Sequence, residues 1–214
     1  MEKKEESDQI QKSVLRLRRG FIFSLGTLIT LLILWILNVI YFSYVYYLQL
    51  LFSPPILFTL PLLLAFLYMG GIYNRASAWE QMNERNVSTV LSIGGSIVFL
   101  SPLFLLCLWM ESPNYLAIPL AIWLIYTVFE LHALNVLEKN CELNLKKART
   151  LTIIGMTLAI ASFILLLIMH YMPELPILFT VIYIFSYPNL PIPFLITSCI
   201  LIIRELTRQI KTTY

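Results

Sequence analysis

The Lys and Arg residues of this 214-residue chain, 15 in all, fall only in alternate gaps between its apolar runs. Lys3, Lys4, Lys12, Arg16, Arg18 and Arg19 precede the first run (21–46). Arg75 and Arg85 separate the second (54–73) from the third (88–110). Lys139, Lys146, Lys147 and Arg149 separate the fourth (115–134) from the fifth (150–172), and Arg204, Arg208 and Lys211 follow the last (175–203). The remaining gaps hold none. Membrane chains keep Lys and Arg on the cytoplasmic side of the bilayer. The pattern therefore predicts six crossings with both termini in the cytoplasm. Splitting 175–203 into two crossings would strand the C-terminal basic residues outside.

Composition points the same way. Apolar, aromatic and cysteine residues make up 59% of the chain against 13% charged, more apolar surface than a water-soluble domain can bury. The expected fold is an all-α integral membrane bundle of six transmembrane helices, the last broken or kinked by prolines. Residues 1–20 form a basic amphipathic cytoplasmic segment, 21–204 the six-span domain and 205–214 a cytoplasmic tail. The mixed-charge residues before the first run, and the length of that run, do not fit a cleavable signal peptide. In the basic segment, Ile10, Val14 and Leu17 share one helical face. This predicts either an interfacial anchor or a plain extension of the first span.

The stretch "YIFSYPNLPIPF" (183–194) places Pro188, Pro191 and Pro193 inside the last run. A continuous helix through 187–193 is excluded, because each proline removes a backbone N–H and clashes with the preceding turn. Two arrangements remain. In one, the span is discontinuous and its unwound middle opens on a cavity, as in transporters. In the other, 175–186 is interfacial or re-entrant, and the crossing starts near Pro191 and runs through Arg204 to Ile210.

Small residues at helical spacing mark packing faces: Ser88, Ser92, Gly95 and Ser96 in the third run, Gly155, Ala159 and Ser162 in the fifth. Such faces let helix backbones approach closely in lipid, which predicts an interior place for these two helices. Two echoes suggest a repeat. "AWEQMNERN" (78–86) matches "ALNVLEKNC" (133–141), and "PPILFTL" (54–60) matches "LPILFTV" (175–181).

Candidate polar or cavity residues are few. Glu130 is the one carboxylate within a run, about one turn from the cytoplasmic end of the fourth. From there it reaches water or pairs with a basic residue at the same interface. Asn38 is the most central polar side chain and suits an interhelical hydrogen bond, while Asn189 accompanies the proline break. The dispersed cysteines Cys107, Cys141 and Cys199 read as packing residues, and His132 and His170 fall on opposite membrane sides. No metal or cofactor set is expected. Catalytic signatures and phosphate-binding loops are missing, so an enzyme is the weakest class. Nucleic acid is not an expected partner, since the basic residues track membrane boundaries.

The "LRLRRG" segment (15–20) and the "ALNVLEKN" segment (133–140) resemble an uncharacterised family of archaeal multi-pass membrane proteins. In that family a basic helix leads into a six-helix bundle. The resemblance implies a location in the plasma membrane and no activity. Two functions stand open: transport or permeation of a small solute, or a non-transporting scaffold or assembly factor. The expected partners are the lipid bilayer and either a second copy or another membrane protein.

Overall fold

The computed structural model describes residues 2–43, 54–108, 117–141, 143–171 and 191–212. They form six helices and no strands: α1 (Glu2–Ser43), α2 (Pro54–Gln81), α3 (Arg85–Leu108), α4 (Ala117–Asn140), α5 (Lys146–Tyr171) and α6 (Pro191–Thr212). Among the described residues, Ala117–Asn140 and Lys146–Leu165 are long and apolar enough to cross a membrane, and Arg85–Leu100 is a shorter apolar stretch.

Helix α6 starts at Pro191. Both Pro191 and Pro193 therefore sit in its first turn, where no backbone N–H has an intrahelical partner to lose. The helix runs from Pro191 past Arg204, the course the second arrangement gives its crossing, while the segment that separates the two arrangements is not described. Residues 175–186 and Asn189 lie outside the described residues, and so do the linkers at Pro113 and Pro176.

The helices pack as a ring. Helix α1 lies between α2 and α6, α2 next packs on α3, α3 on α4, and α5 on α6, while α4 and α5 touch only sparsely. Helices α1 and α6 run without a break across residues 20 and 204. Val14 and Leu17 of the basic segment are buried, as is Leu206 beyond Arg204. The amphipathic segment thus turns its apolar face into the bundle, as the extension of the first span would.

The core gathers at the end of the ring where the α2–α3 and α4–α5 turns lie. It joins Leu17, Phe21, Ile72, Trp79, Leu91, Tyr126, Leu134, Leu145, Ile202 and Leu206. Trp79, only 1% exposed, is the largest buried side chain. Away from that end the outward faces are apolar: Leu62 and Phe66 are more than two-thirds exposed, and Ile118, Ile125, Ile153 and Ile164 at least half.

Glycines set the helix–helix approach. A methyl on Gly20 would lie 2.9 Å from the Arg75 backbone nitrogen, and one on Gly71 would lie 2.8 Å from Ser24 Oγ. Helices α1 and α2 therefore cross nearly backbone on backbone. Gly95 packs on Ile72 and Gly155 on Leu195, so two members of the predicted small-residue faces do seat helices. Ser92 is instead exposed, and Ser96 and Ala159 are half-buried.

The two turns explain why the linker echo is not a structural repeat. Helix α2 ends in a Schellman motif: Glu84 N donates to Trp79 O at 2.9 Å and Asn83 N to Glu80 O at 3.1 Å. Asn83 takes the left-handed conformation this requires, with φ 64°. At the end of α4, Leu143 N donates to Glu138 O at 3.2 Å. Trp79 and Glu138 thus hold equivalent places, whereas the sequence echo matches Glu138 with Glu84. The two registers differ by more than one helical turn. Glu138 also accepts from Leu145 N at 3.1 Å and pairs with Arg149, which in turn donates to Asn135. The start of α5 is held to the end of α4 by that carboxylate.

Candidate functional site

Helix α4 does not stop where the fourth apolar run ends. It continues to Asn140 with Ala133, Leu134 and Leu137 buried, leaving Glu130 more than two turns from its end. Glu130 is consequently deep in the packed end of the ring, only 5% exposed. A carboxylate there needs partners, since burying an unpaired charge is prohibitive.

It has two. Arg75 Nη1 donates to Glu130 Oε2 at 2.6 Å, and Trp79 Nε1 donates to Glu130 Oε1 at 3.3 Å. Arg75 and Trp79 lie one turn apart on α2 and so face α4 together. The expected pairing of Glu130 with a basic residue holds, and that residue is Arg75. The Arg75 guanidinium also lies 5.4 Å from the centre of the Phe21 ring on α1, and its Nε points to Gly71 O at 3.4 Å. The glycine crossing of α1 and α2 makes this seat: Gly20 is packed against the Arg75 side chain and backbone, and Gly71 lies one turn before it. By sequence Arg75 is one of the charges flanking the second apolar run. The spacing of Gly71, Arg75 and Trp79 is the signal that links them.

Beside the pair lies a cleft of about 120 Å³. Its polar wall takes Ser24 and Thr27 from α1, Tyr68 and Arg75 from α2, Tyr126, Thr127 and Glu130 from α4, Thr152 from α5 and Ser198 from α6, and the larger, apolar part includes Phe21, Leu28, Trp123, Leu131, Leu195 and Ile202. Among the described residues, α3 contributes nothing to this wall and α5 only Thr152, although Val87 and Leu91 of α3 and Ala148 of α5 are buried in the core. The Tyr68 and Tyr126 hydroxyls meet at 3.3 Å. Thr152 Oγ1 and Ser198 Oγ meet at 2.6 Å, and Ser198 Oγ donates to Ala148 O at 2.8 Å. Polar atoms here have partners, which is what a buried hydroxyl requires.

Of the other sequence candidates, Asn38 lies in α1 but its side chain is outside the described set, like that of His170 in α5. His132 is exposed on α4. Cys199 is buried in the cleft wall, and Cys141 is half-buried at the α4–α5 turn, where burial pushes its thiol above the ordinary value. Among the described residues, no three His, Cys, Asp or Glu side chains gather as a metal site. No family model, curated protein or solved structure matches the chain.

Proposed function

We propose that this chain is a multi-pass membrane protein that crosses the bilayer six times, with both ends in the cytoplasm, and that it admits a small solute through the cleft beside Arg75 and Glu130. The outward apolar faces support the membrane reading, because Leu62, Phe66, Ile125 and Ile164 would otherwise stand in water. The basic residues support the orientation, since they cluster at the packed end of the ring.

One observation carries the solute reading: a buried Arg–Glu pair set into the wall of a hydroxyl-lined cleft. Ionisable residues inside a membrane bundle are expensive and mark pathways and binding sites. A bundle that served only as a scaffold would fill this space with apolar side chains. Its small-residue faces would also remain free for partners, whereas Gly95 and Gly155 are taken up within the chain and Ser92 is the exposed member.

The test is permeation in reconstituted vesicles. Light scattering would follow swelling in a panel of small polyols, amides and salts, with protein-free vesicles as the baseline. At least one solute is expected to enter severalfold faster with the protein, and the gain should fall when Thr127→Phe fills the cleft. A panel in which no solute enters faster would overturn the proposal.

A further inference from the structure

The wall of the cleft is specific about charge and about hydrogen-bond direction. Among the described residues, Arg75 and Glu130 are the only charged ones lining it, and they are bonded to each other at 2.6 Å. The site therefore has no net charge to offer. An ion entering it would lose its water and gain no counter-charge, which is prohibitive in a low-dielectric bundle. An uncharged guest meets no such barrier.

Hydrogen-bond direction narrows the guest further. Ser24 donates to Gly20 O at 3.1 Å, Thr27 to Phe23 O at 3.1 Å and Thr127 to Trp123 O at 2.7 Å. Ser198 donates to Ala148 O, and Thr152 has its proton engaged by Ala148 O or Ser198. Each of these five hydroxyls spends its hydrogen on the protein and keeps oxygen lone pairs for the cleft. The two tyrosines use one proton in their mutual contact and keep one. The polar part of the wall is thus rich in acceptors and poor in donors, beside a larger apolar part, and together they favour a small guest that carries O–H or N–H groups on a short carbon frame. The volume of about 120 Å³ equals about four water molecules at their share of the liquid.

We infer that the solute of this cleft is a small uncharged polyol or amide, and that the Arg75–Glu130 pair excludes ions by cancelling its own charge. This rests on the cleft being the solute path. The test measures glycerol and urea uptake by light scattering, and potassium and chloride flux with a potential-sensitive dye, in vesicles containing the full chain. Glycerol and urea are expected severalfold above protein-free vesicles, with potassium and chloride at the protein-free level. Glu130→Gln leaves a net positive site and should raise chloride flux roughly tenfold or more, and Arg75→Gln should do the same for potassium. Either single variant can fail to fold with a bare charge in the bundle. The double variant R75Q/E130Q is again uncharged and should exclude both ions, whatever its glycerol rate.

Wild-type ion flux above the protein-free level would overturn the inference while leaving solute passage standing. So would correctly folded single variants whose ion selectivity does not change, or a double variant that leaks ions. Absence of any accelerated solute would instead defeat the underlying proposal of passage through the cleft.

Discussion

Gly20 on α1 lies so close to Arg75 on α2 that a methyl group at residue 20 would come within 2.9 Å of the Arg75 backbone nitrogen. Helix propensity alone would make Gly20→Ala favourable by about 1 kcal/mol. Overpacking against a backbone atom costs about 1–3 kcal/mol, and the backbone of α2 cannot rotate away as a side chain can. Gly20→Ala is expected to lower the melting temperature in detergent, and Gly20→Val to lower it further. Gly94→Ala supplies the contrast, because its nearest neighbour is the edge of the Tyr126 ring at 3.1 Å, which can shift. Equal losses at both glycines would show that the α1–α2 crossing is not specially tight.

The Arg75–Glu130 pair should show the asymmetry of buried ion pairs. Removing one partner, by Glu130→Leu or Arg75→Met, leaves the other charge buried and should destabilise by about 3–5 kcal/mol. Replacing both with apolar residues, as in R75M/E130L, should recover most of that loss. A double-mutant cycle on thermal or denaturant unfolding measures it, and additive single losses would mean that the pair is not coupled.

Asn83 carries the left-handed turn between α2 and α3 at φ 64°. Asn83→Gly should be nearly neutral, since glycine adopts this conformation freely. Asn83→Ala should cost about 1 kcal/mol, because alanine keeps the Cβ but lacks the short polar side chain whose local hydrogen bonding lets asparagine adopt this conformation. Thermal unfolding of the two variants in parallel checks the order. An alanine variant as stable as the glycine one would deny the left-handed turn.

Thiol labelling tests both orientation and burial. Lys211 is exposed on α6, and Lys211→Cys should react with a membrane-impermeant maleimide only from the cytoplasmic face. Glu174→Cys should react only from the opposite face. Reaction of residue 211 from outside would refute the six-span count. Native Cys141 gives an internal comparison, because burial raises its thiol above the ordinary value. The reactive species is the thiolate, so at a given pH less of Cys141 is reactive than of an exposed thiol. Its alkylation should be slower than that of Lys211→Cys near pH 8. It should still be rising with pH where the exposed thiol has levelled off, above roughly pH 9.

Helical character and the last helix were readable because both depend on local chemistry. Apolar runs make the helices, and Pro191 and Pro193 can stand only in a first turn. Glu130 was also readable, since a carboxylate in an apolar run needs a partner. Arg75 was not singled out because it doubles as a flanking charge, and the whole of α3 lies between it and Glu130 in the sequence, which hides the pairing. Gly20 was hidden for a related reason: a glycine beside a basic cluster looks like a boundary until the helix opposite it is known. The linker echo misled because short matches arise readily in so biased a composition, and the turn hydrogen bonds follow a different register. Residues around Asn38 and Asn189 are outside what the described side chains can address.

The ring also imposes an order in time. Helix α1 packs on α2 and on α6, so the earliest helix to leave the ribosome has one flank that only the latest can cover. Helices α2 to α5 can assemble as neighbours in turn, but the wall of the cleft lacks Ser198 and Cys199 until α6 arrives. A chain interrupted before residue 191 would therefore keep an unsealed side however well its earlier helices had inserted. Closure of the ring thus waits on α6, the last of the described helices.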